Sequence, residues 1–428
     1  MKLWQKENPL NKTIETFTIG KDRELDLLLA KYDIIGSLAH IKMLESIDLL
    51  TKEELSKLEI ELNKLLKKTK DGTFEIEEGI EDVHSQVELE LTRNLGDIGK
   101  KIHSGRSRND QVLVDLRLFF RAEILSIGEE IKALFEVLIE KSEELKDVLM
   151  PGYTHLQVAM VSSFGLWLGG YAETLVDDLR LLKSVYKITN QNPLGSAAGY
   201  GNSFPLNRKM TTDLLGFDDL NYNVIHAQLG RGKTELFLSF ALASIGNTLS
   251  KLAMDVCLFY NQNYDFIKFP DELTTGSSIM PHKKNPDVFE LIRAKSNKLQ
   301  ALPTEISMIT SSLPSGYHRD FQLIKEAIFP AISEVKNCLK ITAYALQFMK
   351  VREGILKEEK YKYIYSVEAV NQKVLDGMPF RDAYQAVGQD IANGEFEIPE
   401  ALNHTHEGSL GNLCNEEIRE KWEKVWKL

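Results

Sequence analysis

Residues 112–148 read VLVDLRLFFRAEILSIGEEIKALFEVLIEKSEELKDV, and the period of their apolar positions decides the fold. Ile124, Ile131, Leu138 and Leu145 recur every seven positions, while Ile127, Leu134 and Val148 fill a second seam that only Lys141 interrupts. This is helical spacing, not the alternation of a strand. A continuous helix over 112–148 spans roughly 55 Å at about 1.5 Å per residue, far longer than the usual globular helix. Such a rod needs partners along its length.

Apolar, helix-favouring segments near 160–187, 235–262, 287–302 and 325–350 can supply them. No proline lies between Pro9 and Pro151, and the later prolines fall mostly between these segments, where helices are expected to end. Strand signals are scarce. The expected fold is therefore all-α: an N-terminal helical domain over 1–107, a central bundle of long helices over 108–352, and a small C-terminal helical domain over 353–428.

Composition narrows the function. The chain has 428 residues, of which 43% are hydrophobic and 27% charged, the balance of a soluble globular protein. Its formal charge of -11 argues against a general nucleic-acid binder, which needs a basic surface, so an anionic substrate would require a local cluster of cations. MKLWQKENPLNKT at the N-terminus has no apolar signal core, and no run of about 18 apolar residues points to a membrane span. Cys257, Cys338 and Cys414 show no CxxC or zinc spacing, which fits a reducing compartment and a cytoplasmic protein.

Four polar segments interrupt the helical text. EDVHSQVE (81–88) places His84 among carboxylates; HSGRSRNDQ (103–111) carries Arg106, Arg108, Asn109 and Asp110 at the start of the long helix; GYTHLQ (152–157) stands where that helix ends and the next begins. Asn109 or Asp110 is the candidate helix cap. The fourth, TTGSSIMPHKKNPDVFE (274–290), is a loop, because its glycine and two prolines oppose helical angles while hydroxyls, lysines and an amide are interleaved with them. Singly, His84 reads as an ordinary histidine, Arg106 and Arg108 as a solvated helix start, and Thr154 and His155 as caps. Together the four segments describe a site for an anion.

Other patterns fail. GRGKT (230–234) lacks the first glycine of a phosphate loop because Ala227 stands there, and GYG (199–201) has no third glycine. No histidine and carboxylate set has metal-ligand spacing on one helix, so neither metal nor cofactor is expected.

GSSIMPHKKNP resembles the signature of the fumarase and aspartase superfamily, helical lyases that eliminate a group from a succinyl unit to release fumarate. Within it, SGRSRNDQ, EDVH, GYTHLQ and the KKNP ending resemble the branch that expels a guanidinium nitrogen, and the likeness extends from GSLAHIKML (36–44) to GSLGNL near the C-terminus. The resemblance implies a homotetramer in which the central domains form a joint helical bundle and subunits share each active site.

The chemistry asks for a base at a carbon-bound proton and for cations or donors to hold the carboxylate that gains charge. Lys283 and Asn285 can supply a cation and an amide to that dianion. From the residues alone His155 is the natural base. The resemblance instead assigns the base to Ser277, ionised by nearby positive charge and backbone N–H groups, and pairs His155 with Glu290 on the leaving-group side, leaving open whether His155 donates directly or through water. It carries His84, Arg108, Asn109, Thr154, Tyr317, Gln322 and Lys325 over as substrate contacts.

Three departures bear on the substrate. Where the branch has Ser and Asp four residues apart, counting back from GSLAH gives Asp22 and Asp26, while a shift of four gives Thr18 and Asp22. Arg231 is flanked by Gly230 and Gly232 in place of aspartates, and VAM follows GYTHLQ where an Arg, Ala, Gln and Pro run is usual. Altered contacts of this kind leave room for another N-substituted aspartate.

Overall fold

The computed structural model describes residues 11–399 and 402–427; most of the MKLWQKENPLNKT segment, with Pro9, lies outside the described residues. The chain divides into two compact units. The first gathers Met1–Ile127, Leu181–Ala243 and Leu299–Glu334, and the second gathers Gly128–Arg180, Ser244–Lys298 and Val335–Leu428.

The expected rod is one helix, Arg108–Glu144, of 37 residues. It begins at Arg108 and not Val112 because Ser107 caps it. Ser107 Oγ accepts the Asn109 N–H at 3.2 Å, and Asp110 Oδ1 accepts the Ser107 N–H at 2.8 Å, a reciprocal capping arrangement. The cap is thus Ser107, with Asp110 answering from within the first turn. Asp110 Oδ2 also accepts the N–H groups of Gly195 and Ala197, both at 2.9 Å, tying the NPLGSAAGYG loop to the helix start.

The other expected partners are Phe164–Thr189, Lys233–Tyr260 and Gln322–Gln347. The 287–302 segment becomes two helices, Asp287–Leu299 and Leu302–Thr310, the second with Pro303 in its first turn, where the missing N–H has no partner to lose. Pro330 is the exception to the rule that prolines separate helices, since it lies inside Gln322–Gln347 on an exposed position.

In the first unit, Ala30–Ser46, Lys52–Lys70 and Val83–Leu95 bury a common core that includes Ile34, Ile41, Leu58, Leu62, Val83 and Leu91. In the second, the C-terminal helix Asn415–Trp426 packs on residues 128–144: the Trp422 ring stacks on Phe135 with centroids 4.3 Å apart. Gly128 is a glycine in mid-helix for the same reason, as a Cβ there would sit 3.0 Å from Trp426.

Strands are short, and one pair departs from expectation. Leu149–Thr154 and Gln157–Ser163 form an antiparallel hairpin, so GYTHLQ is a strand end and turn, and the helix expected from about 160 begins at Phe164. Pro151 and Gly152 prevent helix continuation, and QVAMVSS holds too little helical period to restart it. Among the described residues one helix, Lys233–Tyr260, is long and apolar enough by composition to cross a membrane, whereas its sequence near 235–262 reads as a bundle helix and not as a span. Over half of its most apolar 18-residue window, 56%, is buried within the protein, as in a core helix.

Phe135→Ala should cost about 3–5 kcal/mol, because it removes a fully buried ring and with it the stacking contact to Trp422. Denaturant unfolding followed by circular dichroism checks this, and a cost below about 1 kcal/mol would mean that the Trp422 contact is not what holds the C-terminal helix.

Candidate active site

The residues expected to act fall into two groups, one inside each unit. In the second unit, Thr154 and His155 occupy the hairpin tip. His155 and Leu156 both take left-handed backbone angles, φ 54° and 60°, which form the tight turn and leave Thr154 and His155 exposed. Beside the hairpin a cleft of about 390 Å³ is lined by Gly152, His155, Trp167, Asp255, Phe259 and Tyr264, among others. Asp255 is fixed by two ring donors, Trp167 Nε1 at 3.0 Å and the Tyr171 hydroxyl at 2.7 Å. Trp167 and Asp255 lie 88 positions apart, and nothing in the sequence links them.

The loop of 274–286 is folded on itself. Thr275 and Asn285 pair their backbones, with N–H to O distances of 3.2 and 2.8 Å, and the Thr275 hydroxyl donates to Asp287. This closes a ring of chain around Gly276 to Lys284. Ser277 Oγ accepts from the N–H groups of Ile279 and Met280 at 3.4 and 3.2 Å. Donors aimed at an oxygen favour its ionised form. Asn285 Nδ2 reaches the Gly276 carbonyl at 3.4 Å, while Lys283 is exposed and has no ion-pair partner among the described residues. Lys284, its neighbour, is taken up by Asp271. Glu290 is exposed in the first turn of Asp287–Leu299, held by the buried Phe289 beside it.

In the first unit the polar residues are largely engaged with one another. His84 follows the Asp82 cap of Val83–Leu95 and is buried between two carboxylates, with Nδ1 2.8 Å from Asp33 Oδ1 and 3.5 Å from Asp115 Oδ2. Burial opposes a charged ring, but the Asp33 charge, the hydrogen bond to it and the Asp115 charge push His84 up to about 9. Burial would likewise raise Asp33, yet the His84 imidazolium holds it below its ordinary value, whereas burial and then the Asp33 charge drive Asp115 well above. Asp33, His84 and Asp115 offer ligand atoms within 4.8 Å of one another, so they are where an ion could be held. The chemistry is against it: an imidazolium that donates to Asp33 has no lone pair at that nitrogen, and Arg106 adds a second cation near Asp33.

Arg108 is 27% exposed and braced by Asp82 at 3.1 Å, Glu81 at 3.4 Å and the Ser85 hydroxyl at 2.8 Å. Asn109 sits beside it with its backbone N–H on Ser107. Tyr317 is 43% exposed. Gln322 donates to the carbonyls of Thr18 and Ile19 at 3.1 and 2.8 Å. Lys325 is buried between Asp22 and Asp26, Nζ to oxygen 2.7 and 2.6 Å. Of the two registers open at the N-terminus, this contact favours Asp22 with Asp26; Thr18 turns its hydroxyl back to the Ile14 carbonyl.

Arg231 points into the protein. It is buried, donating to the Phe321 carbonyl at 2.8 Å and lying 3.3 Å from Glu235. Its glycine neighbours follow from space: a Cβ on Gly230 would lie 2.8 Å from Arg117, and one on Gly232 would lie 2.6 Å from Thr310, at φ +80° besides.

Comparison with known proteins identifies the family. A family model described as Lyase matches residues 2–301. Argininosuccinate lyases of Bacteroides thetaiotaomicron and Parabacteroides distasonis are 63% and 64% identical to it, across 99% and 97% of this chain and 95% and 94% of their own lengths. The chain belongs to the argininosuccinate lyase family. A more distant relative, the argininosuccinate lyase of Stenotrophomonas maltophilia, is 39% identical over 99% of both chains. Among solved structures, EDDS lyase in complex with formate (TM-score 0.78, 22% identity, 98% of this chain and 90% of that one) and the class II fumarase of Schistosoma mansoni (0.74, 16%, 96% and 95%) share the fold. The family expected from GSSIMPHKKNP, SGRSRNDQ and GYTHLQ is borne out, and with it the all-α architecture.

The His84 pair sets a pH dependence. The ring titrates near 9 when folded and near 6.5 in the reference state, so its stabilisation is complete below about 6.5 and lost as pH rises through 9. The thermal midpoint should fall across that window, and His84→Asn should flatten the fall; an identical slope in the variant would assign it to another group.

Proposed function

We propose that this chain eliminates arginine from argininosuccinate, giving fumarate. The observation that carries this is full-length identity above 60% to relatives named for that reaction, and the chemistry of the loop supports it.

In this reading Ser277, as the alkoxide, takes the proton from the carbon next to a carboxylate of the succinyl unit. The electron pair moves into that carboxylate, making a dianion held by Lys283 and Asn285. The pair then returns to form the carbon–carbon double bond as the carbon–nitrogen bond breaks, and the departing guanidinium nitrogen takes a proton from the His155 and Glu290 side. Arg108, Asn109, Thr154 and Tyr317 are the substrate contacts, with His84, Gln322, Lys325 and Asp26 building the wall behind them. No step needs a metal or a cofactor.

The proposal includes a homotetramer whose subunits share each active site, and the division into 1–107, 108–352 and 353–428. Apolar side chains exposed on the long helices of a single chain, among them Phe240, Met254, Ile341 and Tyr344, support association. A cytoplasmic location is part of the same reading.

Ultraviolet detection of fumarate from argininosuccinate, run beside adenylosuccinate, malate and aspartate, tests the reaction. Release from argininosuccinate alone is expected; silence with it from a folded oligomer would move the substrate to another N-substituted aspartate. Ser277→Ala should lower turnover about 10²- to 10⁴-fold while substrate still binds, and near-normal turnover would remove Ser277 as the base. Lys283→Met should slow turnover about 10²- to 10³-fold, and an unchanged rate would make Lys283 a surface charge.

A further inference from the structure

We propose that the cleft beside the 149–163 hairpin is a second ligand site, one that takes a guanidinium cation with Asp255 as its counter-charge. This goes beyond the reaction proposed above, and only the choice of arginine as the natural occupant rests on that reading.

Asp255 stands half-buried on Lys233–Tyr260 and lines the cleft. Its two donors, Trp167 Nε1 at 3.0 Å and the Tyr171 hydroxyl at 2.7 Å, both go to Oδ2. They are neutral groups, so they fix the carboxylate and leave its charge uncancelled. Oδ1 has no partner among the described residues, and none of them lines the cleft with a lysine or an arginine. A carboxylate drawn out of water without a cation beside it is costly, and a bound cation relieves that cost.

The walls suit a flat cation. Trp167 and Phe259 meet edge to face with centroids 5.1 Å apart, Tyr153 and Tyr264 meet at 5.5 Å, and all four rings line the cleft. Aromatic faces attract cations through the ring quadrupole, tryptophan most strongly. Guanidinium gains more here than ammonium does, because its weakly hydrated plane can lie on a ring while the N–H groups along its edge donate to a carboxylate. The space of about 390 Å³ lies within the range of about 300–1,000 Å³ that small-molecule sites occupy. Asp255 repels carboxylates, so the succinyl unit of the substrate does not belong in this cleft. Arginine, which the proposed reaction releases, carries the group that does. His155 lines the same cleft, so an occupant bears on the hairpin tip that carries the proposed proton donor.

The test titrates ethylguanidinium, arginine and citrulline, the last with a neutral urea in place of the guanidinium, into the wild-type protein, Asp255→Asn and Phe259→Leu. Tryptophan fluorescence reports binding, Trp167→Phe shows which indole gives the signal, and the thermal midpoint checks that each variant is folded. Wild type should bind ethylguanidinium and arginine saturably and citrulline about tenfold or more weakly. Asp255→Asn should weaken ethylguanidinium about tenfold or more, and Phe259→Leu about three- to tenfold. Ethylguanidinium should also lower kcat for fumarate release in wild type and not in Asp255→Asn. No saturable change with ethylguanidinium in wild type overturns the proposal, as does citrulline binding as tightly as arginine, neither result needing a variant. Equal affinity in a folded Asp255→Asn or Phe259→Leu overturns it too, as does inhibition confined to KM and shared by the variants, which would put the cation in the substrate site. An altered oligomeric state in Asp255→Asn, with no binding to wild type, would give the cleft to a side chain of a second copy and overturn it as well. Absence of fumarate from wild type strikes the reaction instead, and the fluorescence titration is then judged by itself.

Discussion

A helix of 37 residues that is apolar on more than one face has to be covered along its length, and that constraint organises the rest of the chain. Its first residues, 108–127, belong to one compact unit and the remainder to the other, so each unit is assembled around a stretch of the same rod. The fixed points follow from it. Ser107 and Asp110 set where it starts and bind the 195–197 loop to that start, and Phe135 and Gly128 set where the C-terminal helix lies against it.

Helices of this kind are legible because their period repeats often enough to outweigh local accidents, so the ends of the four long helices came within a few residues of their apolar segments. The hairpin was not, because Gln157–Ser163 is too short to separate strand from helix by period. The site was legible as residue types and not as contacts. His84 announces itself between carboxylates at 81, 82 and 88, yet the ones it meets are Asp33 and Asp115. Lys325 and Asp22 are separated by most of the chain, and no local pattern predicts a buried pair formed that way. The glycines beside Arg231 stand where a side chain has no room, which the sequence does not show.

The two units divide the work of charge differently. In the first, cations and carboxylates neutralise each other out of water, where an uncompensated charge would be costly. His84, Arg106 and Lys325 are held in this way. In the second, Ser277, Lys283, His155 and Glu290 stand on a folded loop, a hairpin tip and a helix start, open to a ligand.

The hairpin tip shows what that accessibility demands of the backbone. A two-residue turn with both φ angles positive is the natural place for Asn-Gly, and this chain puts His155 and Leu156 there. Each non-glycine residue in that region is strained by about 1–3 kcal/mol. The turn is therefore a point at which the chain gives up folding stability. A sequence optimised for stability alone would place Asn-Gly at this turn, so the imidazole stands on the least comfortable backbone in the hairpin.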